Sequence, residues 1–198
     1  MSFNSLFPTV FMHEEILETK LVNTDLKKLI LEMHKNIPNL TEKYRNNNFF
    51  AIKHDVVDWL IEVININVSN YIRYIGINYN LDYNLSGWCN INLKGDYHIM
   101  HNHPKSWLSG VYYVDVPSQE KVKIHRKDLN PAKISFFDPR AQANMVSIKG
   151  DPQHINEHIV SPKDGDFILL PSFLHHFVHP NMSEKPRITV SFNINLAN

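Results

Sequence analysis

Two short stretches of this chain carry side chains that could gather on one metal ion. The first is Tyr97-His98-Ile99-Met100-His101-Asn102-His103-Pro104. In extended backbone, residues two apart point to the same side, with Cα atoms roughly 7 Å apart. His101 and His103 can therefore converge on one ion, while Asn102 and His98 have the opposite parity. Pro104 ends the strand. Taken alone, a His-x-His pair is more often two half-exposed histidines beside a turn than a metal site. The second stretch is Leu174-His175-His176-Phe177-Val178-His179-Pro180. It follows a turn at Asp164-Gly165 and an apolar run from Phe167 to Leu170 that breaks at Pro171. A histidine just past such a break stands at the mouth of a barrel, where ligands bind. Spacing alone leaves open which of the three histidines faces inward.

A third segment adds a charge. From Arg187 to Phe192 the residues alternate, with Arg187, Thr189 and Ser191 on one face and Ile188, Val190 and Phe192 on the other. A guanidinium beside hydroxyls can take a carboxylate through a bidentate fork with a further donor. A His pair, a distal His and an arginine together suit a small metal ion with an anionic cosubstrate. The gap of more than seventy residues between the histidine groups excludes a compact zinc finger.

These residues need a scaffold. Leu26, Leu29, Ile30 and Met33 share one face of a helix expected over Thr24 to Lys35, capped by Asn23 or Thr24 and stopped by Pro38. A second helix is expected from about Asp55 to Gly76, since Val57, Leu60, Ile61, Ile64, Val68, Tyr71, Ile72 and Ile75 recur at helical spacing, although its β-branched residues locally favour a strand. Thr9 to Met12 can form a short strand. From Ser86 the texture changes to short apolar segments separated by Pro, Gly, Asp and Asn. Expected strands are Gly87–Leu93, Tyr97–His101, Leu108–Asp115, Lys133–Phe137, Asn156–Val160, Asp166–Leu170, His176–Val178 and Arg187–Ile194. About eight short strands after two helices predict a mainly β fold with N-terminal helices, a jelly roll or barrel packed by helices on one face.

Composition narrows the function classes. The chain has 198 residues, 43% of them apolar, which is enough for one core. Lysine plus arginine and aspartate plus glutamate each total 20, so no net field draws in duplex nucleic acid or an anionic membrane. Cys89 is the single cysteine, which rules out an intramolecular disulfide and a cysteine-rich zinc site. Met1 to Val10 lacks a signal-peptide pattern and no apolar run is long enough for a membrane span, so a cytoplasmic setting is expected. Asparagine is abundant, and its abundance is given no structural meaning.

The chain resembles the 2-oxoglutarate and iron(II)-dependent oxygenases related to prolyl hydroxylases. The resemblance rests on Trp88-Cys89-Asn90, His101-Asn102-His103-Pro104, Leu108 to Val114, Phe137-Asp138-Pro139-Arg140, Gly165-Asp166 through Pro171-Ser172, His176 to Pro180 and Arg187-Ile188-Thr189, with Leu6-Phe7-Pro8-Thr9 like the family's opening. It implies a double-stranded β-helix (cupin-like jelly roll) in a single domain over residues 1–198, with about 1–80 as helical support and about 86–198 as the core. It implies that His101, His103 and His176 bind iron(II). Arg187, assisted by Thr189, would hold the distal carboxylate of 2-oxoglutarate, with Tyr113 directed at that carboxylate and Asn90 and Asn92 lining the pocket. The implied activity is hydroxylation of a small-molecule or peptide substrate with O2, releasing succinate and CO2, with ascorbate as reductant in vitro. His103 departs from the wider superfamily, which has a carboxylate at that position. Two other readings are therefore carried: a three-histidine dioxygenase that does not use 2-oxoglutarate, and a non-catalytic barrel that binds a metal or a small acid. Substrate choice is expected to lie in loops 117–130 and 140–155.

Overall fold

The structure, a computed structural model, describes residues 1–2, 6–36, 48–119, 126, 129–140, 149–151 and 155–197. Pro38 and most of the two loops expected to choose the substrate lie outside these residues.

Strand β1 (Met12–Glu15) comes first, followed by helix α1 (Lys20–Asn36), a short 3-10 turn (Phe49–Ala51) and helix α2 (Asp55–Tyr74). Among the described residues eight strands follow: β2 (Tyr83–Asn92), β3 (His98–His101), β4 (Leu108–Asp115), β5 (Ile134–Phe137), β6 (Glu157–Val160), β7 (Asp166–Pro171), β8 (His176–Val178) and β9 (Arg187–Leu196). Helix α1 begins four residues earlier than the sequence suggested. The Thr24 hydroxyl does not cap it but donates back to the Lys20 carbonyl (2.8 Å), a helix-interior contact. Asn23 does not cap it either; it is turned inward, where its Oδ1 accepts from the Tyr112 hydroxyl (2.7 Å). Helix α2 matches expectation. The His54 ring caps it by accepting from the Val56 amide, and Gly76, at φ +85°, closes its far end. Burial of Val57, Leu60, Ile64, Val68 and Tyr71 on one face outweighs the strand preference of its β-branched residues.

The strands form two antiparallel sheets, ordered β1-β7-β4-β9-β2 and β3-β8-β5-β6. Strand β1 lies at Met12–Glu15 rather than at Thr9–Met12, because those residues pair with Leu169 to Asp166. Strand β2 starts at Tyr83 because β9 runs on to Leu196 and pairs with it there.

Both helices pack on the outer face of the five-stranded sheet. Leu26, Ile30, Leu60, Ile64 and Val68 meet Tyr112, Phe167, Leu169, Val190 and Phe192 in one core. The opposite face of the same strands turns toward the four-stranded sheet. There Tyr113, Ile168 and Leu170 join Ile134, Phe136, Val160 and Leu174. From Phe167 to Leu170 strand β7 is apolar because it is buried on both faces. At Gly110 an added Cβ would lie 2.3 Å from the Phe192 ring and 2.6 Å from the Ile168 carbonyl oxygen, so β4 approaches its neighbours closely only without a side chain there. Among the described residues no helix is long and apolar enough to cross a membrane.

Candidate metal and cosubstrate site

Between the two sheets lies a cavity of about 460 Å³, lined by residues from β2, β3, β4, β5, β7, β8 and β9. At one end His101, at the close of β3, pairs across the strands with His176, which opens β8. His103 follows two residues later, its backbone amide tied to the Ser172 carbonyl (2.9 Å) and its ring against Trp88. One ligand nitrogen from each of the three lies within 4.8 Å of the others.

Hydrogen bonding fixes which nitrogens face inward. His101 Nδ1 is 2.6 Å from the Ile99 carbonyl oxygen, and His176 Nδ1 is 3.0 Å from that of Leu174. A carbonyl only accepts, so each Nδ1 carries the hydrogen and each Nε2 keeps its lone pair. His176 Nε2 then sits 3.4 Å from His103 Nε2. His176 is 6% exposed, and burial, followed by the neighbouring His101, pushes its pKa down to about 4. His176 is therefore neutral near pH 7, as a metal-ligating imidazole must be.

The second stretch is resolved among its three histidines. His175 is exposed. His179 is buried elsewhere, 2.8 Å from Ser135 Oγ, and only His176 joins His101 and His103. One parity expectation fails. A register shift between His98 and His101 turns His98 into the cavity as well, and Asn102 also borders it.

At the other end Arg187 is 1% exposed. Its Nη2 donates to Asn92 Oδ1 (3.1 Å) and its Nη1 to the His179 carbonyl (3.4 Å), while the buried Nε has no hydrogen-bond partner. Burial lowers its pKa, and no carboxylate pairs with it among the described residues. An unpaired buried guanidinium with a free N–H fits a carboxylate ligand. Thr189, Tyr113 and Asn90 line the same cavity. Burial raises the Tyr113 phenol, so it remains a donor. Asn90 Nδ2 donates to Thr189 Oγ1 (3.2 Å) and Ser191 Oγ (2.9 Å), which leaves its buried Oδ1 without a partner. Asn92 reaches the cavity too, but its amide is engaged by Arg187 and His98.

Sequence reasoning missed Asn181. It is fully buried, and its Nδ2 donates to the backbone carbonyls of Asn92 (3.0 Å) and Lys185 (2.8 Å), joining the end of β2 to the approach into β9. Asn23, Asn67, Asn90 and Asn92 are buried as well, so part of the asparagine abundance is structural. Nothing in residue type or spacing marks Asn181 before the strands are paired.

A family model described as "Putative 2OG-Fe(II) oxygenase" matches residues 86–193, more than half of the chain. The chain belongs to this family. It is an iron(II)- and 2-oxoglutarate-dependent oxygenase, and the two readings without 2-oxoglutarate are not favoured. The search of curated proteins found no match to the sequence. Solved structures share the fold at low identity. A Pseudomonas putida prolyl-4-hydroxylase has a TM-score of 0.60 at 12% identity, over 95% of this chain and 88% of that one. HygX from Streptomyces hygroscopicus, solved with nickel and 2-oxoglutarate bound, has a TM-score of 0.55 at 12% identity, over 94% and 82%. A prolyl hydroxylase from Trichoplax adhaerens, in complex with a hypoxia-inducible-factor peptide fragment, has a TM-score of 0.55 at 12% identity, over 93% and 83%.

Proposed function

We propose that the oxygenase holds iron(II) with His101, His103 and His176 and the distal carboxylate of 2-oxoglutarate with Arg187. It would hydroxylate a small-molecule or peptide substrate in the cytoplasm. Residues 1–198 would act as one domain, with about 1–80 supporting the strands of about 86–198. The observation that carries this is one cavity with three converging imidazoles at one end and a buried guanidinium with a free N–H at the other.

Once bound, iron(II) and 2-oxoglutarate supply oxygen activation coupled to decarboxylation, giving succinate, CO2 and a hydroxylated carbon. The chain's own residues position and shield. Arg187 fixes the far carboxylate, with the Thr189 hydroxyl and the protonated Tyr113 phenol as neutral donors beside it. Val111, Ile134, Leu170 and Val178 form apolar walls of the cavity and limit water there. Asn90 holds Thr189 and Ser191 in place on the cavity floor. Three neutral imidazoles leave one more unit of positive charge at the metal than two imidazoles and a carboxylate would, which tunes its redox behaviour.

The test is succinate release from 2-oxoglutarate with iron and ascorbate, for wild type and Arg187→Ala. Oxygen-dependent succinate from wild type, with a strongly raised KM for 2-oxoglutarate in the variant, is expected. An unchanged KM in the variant would remove Arg187 from the cosubstrate site.

A further inference from the structure

Arg187 is held by more than its own strand. It is the register partner of Asn92 across β2 and β9, and its Nη2 lies 3.1 Å from Asn92 Oδ1. Arginine only donates, so the Asn92 atom facing it must be the amide oxygen. That choice orients the whole amide and aims Asn92 Nδ2 at His98 Nε2, 3.2 Å away. An amide NH2 only donates, so His98 Nε2 must accept and its ring hydrogen must sit on Nδ1. The contacts therefore run in one direction: Arg187 donates to Asn92, and Asn92 donates to His98. Asn181 secures the middle of the chain by donating to the Asn92 backbone carbonyl. His98 begins β3, the strand that ends at His101, and the two rings are 6.2 Å apart.

Resting on the proposed role of Arg187, we infer that Asn92 and His98 are positioning residues for 2-oxoglutarate. Asn92 occupies one arm of the guanidinium and fixes how the group lies beside the cavity, and His98 locks Asn92 in the orientation that does so. Neither residue needs to touch the cosubstrate. A buried side chain held at both ends loses little freedom when its ligand arrives, and that is the source of the affinity gain. The relay also joins β3, the strand that ends at His101, to the arginine.

The test is the Kd of 2-oxoglutarate for the iron(II)-loaded protein under anaerobic conditions, with iron stoichiometry measured on each variant. Asn92→Ala should raise Kd about tenfold, in line with the loss of one charge-assisted hydrogen bond, while one iron per chain is retained. His98→Leu, which cannot accept from Asn92, should raise it roughly three- to tenfold, since a neutral hydrogen bond is lost. His98→Gln, whose amide oxygen can accept, should restore most of the loss. The double variant Asn92→Ala/His98→Leu should bind no more weakly than Asn92→Ala alone, because His98 acts through Asn92. Additive effects of the two single variants, or failure of His98→Gln to differ from His98→Leu, would overturn the relay. Should Asn92→Ala fail to fold, Asn92→Asp keeps the shape but places a carboxylate on Arg187, and an unchanged Kd there also overturns it. Arg187→Ala separates the two levels. If it abolishes tight binding and the Asn92 and His98 variants do not weaken binding, only the relay fails. If wild type itself does not bind 2-oxoglutarate, the proposed role of Arg187 fails and the relay falls with it.

Discussion

At one end of the cavity His101 and His103 are partly exposed and stand near the rim, and only His176 is buried. At the other end Arg187 is 1% exposed and anchored from two sides by Asn92 and the His179 carbonyl. At the histidine end two of the three rings are oriented locally, each by a carbonyl two residues earlier, while His103 is held by the Ser172 carbonyl and the Trp88 ring. The arginine end is held by contacts between residues as far apart in sequence as Asn92 and Arg187. A metal supplies its own strong directional bonds and tolerates a half-open cluster. A carboxylate taken from water needs a donor already oriented and dry.

The largest effects should come from removing a histidine. His101→Ala or His176→Ala should lose most iron in an anaerobic titration and with it all turnover, while His175→Ala, at an exposed position, keeps both. His179→Ala should keep its iron but melt lower, since it loses the buried contact to Ser135, at a cost of roughly 1–3 kcal/mol. Retained stoichiometric iron in His176→Ala would move the distal position elsewhere.

Next comes the arginine end. Arg187→Ala should leave iron binding intact and weaken 2-oxoglutarate by about thirtyfold to several thousandfold, the equivalent of roughly 2–5 kcal/mol for a charge-assisted contact in a buried site. Equal loss of iron and 2-oxoglutarate would mean that the two ends are not independent.

Acid should separate the ends in the metal-free protein. The folded chain holds His176 neutral down to about pH 4, whereas an unfolded histidine takes a proton near 6.5. The unfolded state therefore binds more protons in this window, and stability falls as pH drops from about 6.5 to 4, by up to about 3 kcal/mol. His179, also lowered by burial, adds in the same direction. Arg187 stays charged and Tyr113 stays protonated throughout, so neither adds to this slope. The check is melting temperature against pH for chelator-treated protein, with His176→Asn expected to flatten the slope. A smaller effect is expected of Thr189→Val: a two- to tenfold weaker 2-oxoglutarate affinity, about 1 kcal/mol for a neutral hydrogen bond, measured by anaerobic titration.

The His101 and His103 pair was legible in the sequence because its geometry is local. His-x-His places two rings on one face by strand parity alone, and the break at Pro171 marks where the distal histidine emerges. Parity misplaced His98, since a register shift between strands leaves no mark in residue types. Arg187, Thr189 and Ser191 were legible through the same alternation. What holds Arg187 was not, because Asn92, His98 and Asn181 meet only after β2 and β9 have paired. The helices were found by their apolar faces. The start of α1 was missed because Asn23 and Thr24, good capping residues, are used for an inward contact to Tyr112 and a back-bond to Lys20.

The most direct test is an anaerobic titration of metal-free protein, first with iron(II) and then with 2-oxoglutarate, followed by visible charge-transfer absorption and calorimetry. One iron per chain should bind, and one 2-oxoglutarate should follow it with a new absorption band. Arg187→Ala should keep the iron and lose the tight 2-oxoglutarate step, and His101→Ala should lose both. Full iron binding by His101→Ala, or a 2-oxoglutarate step unchanged by Arg187→Ala, would contradict a cavity that grips the metal at one end and the carboxylate at the other.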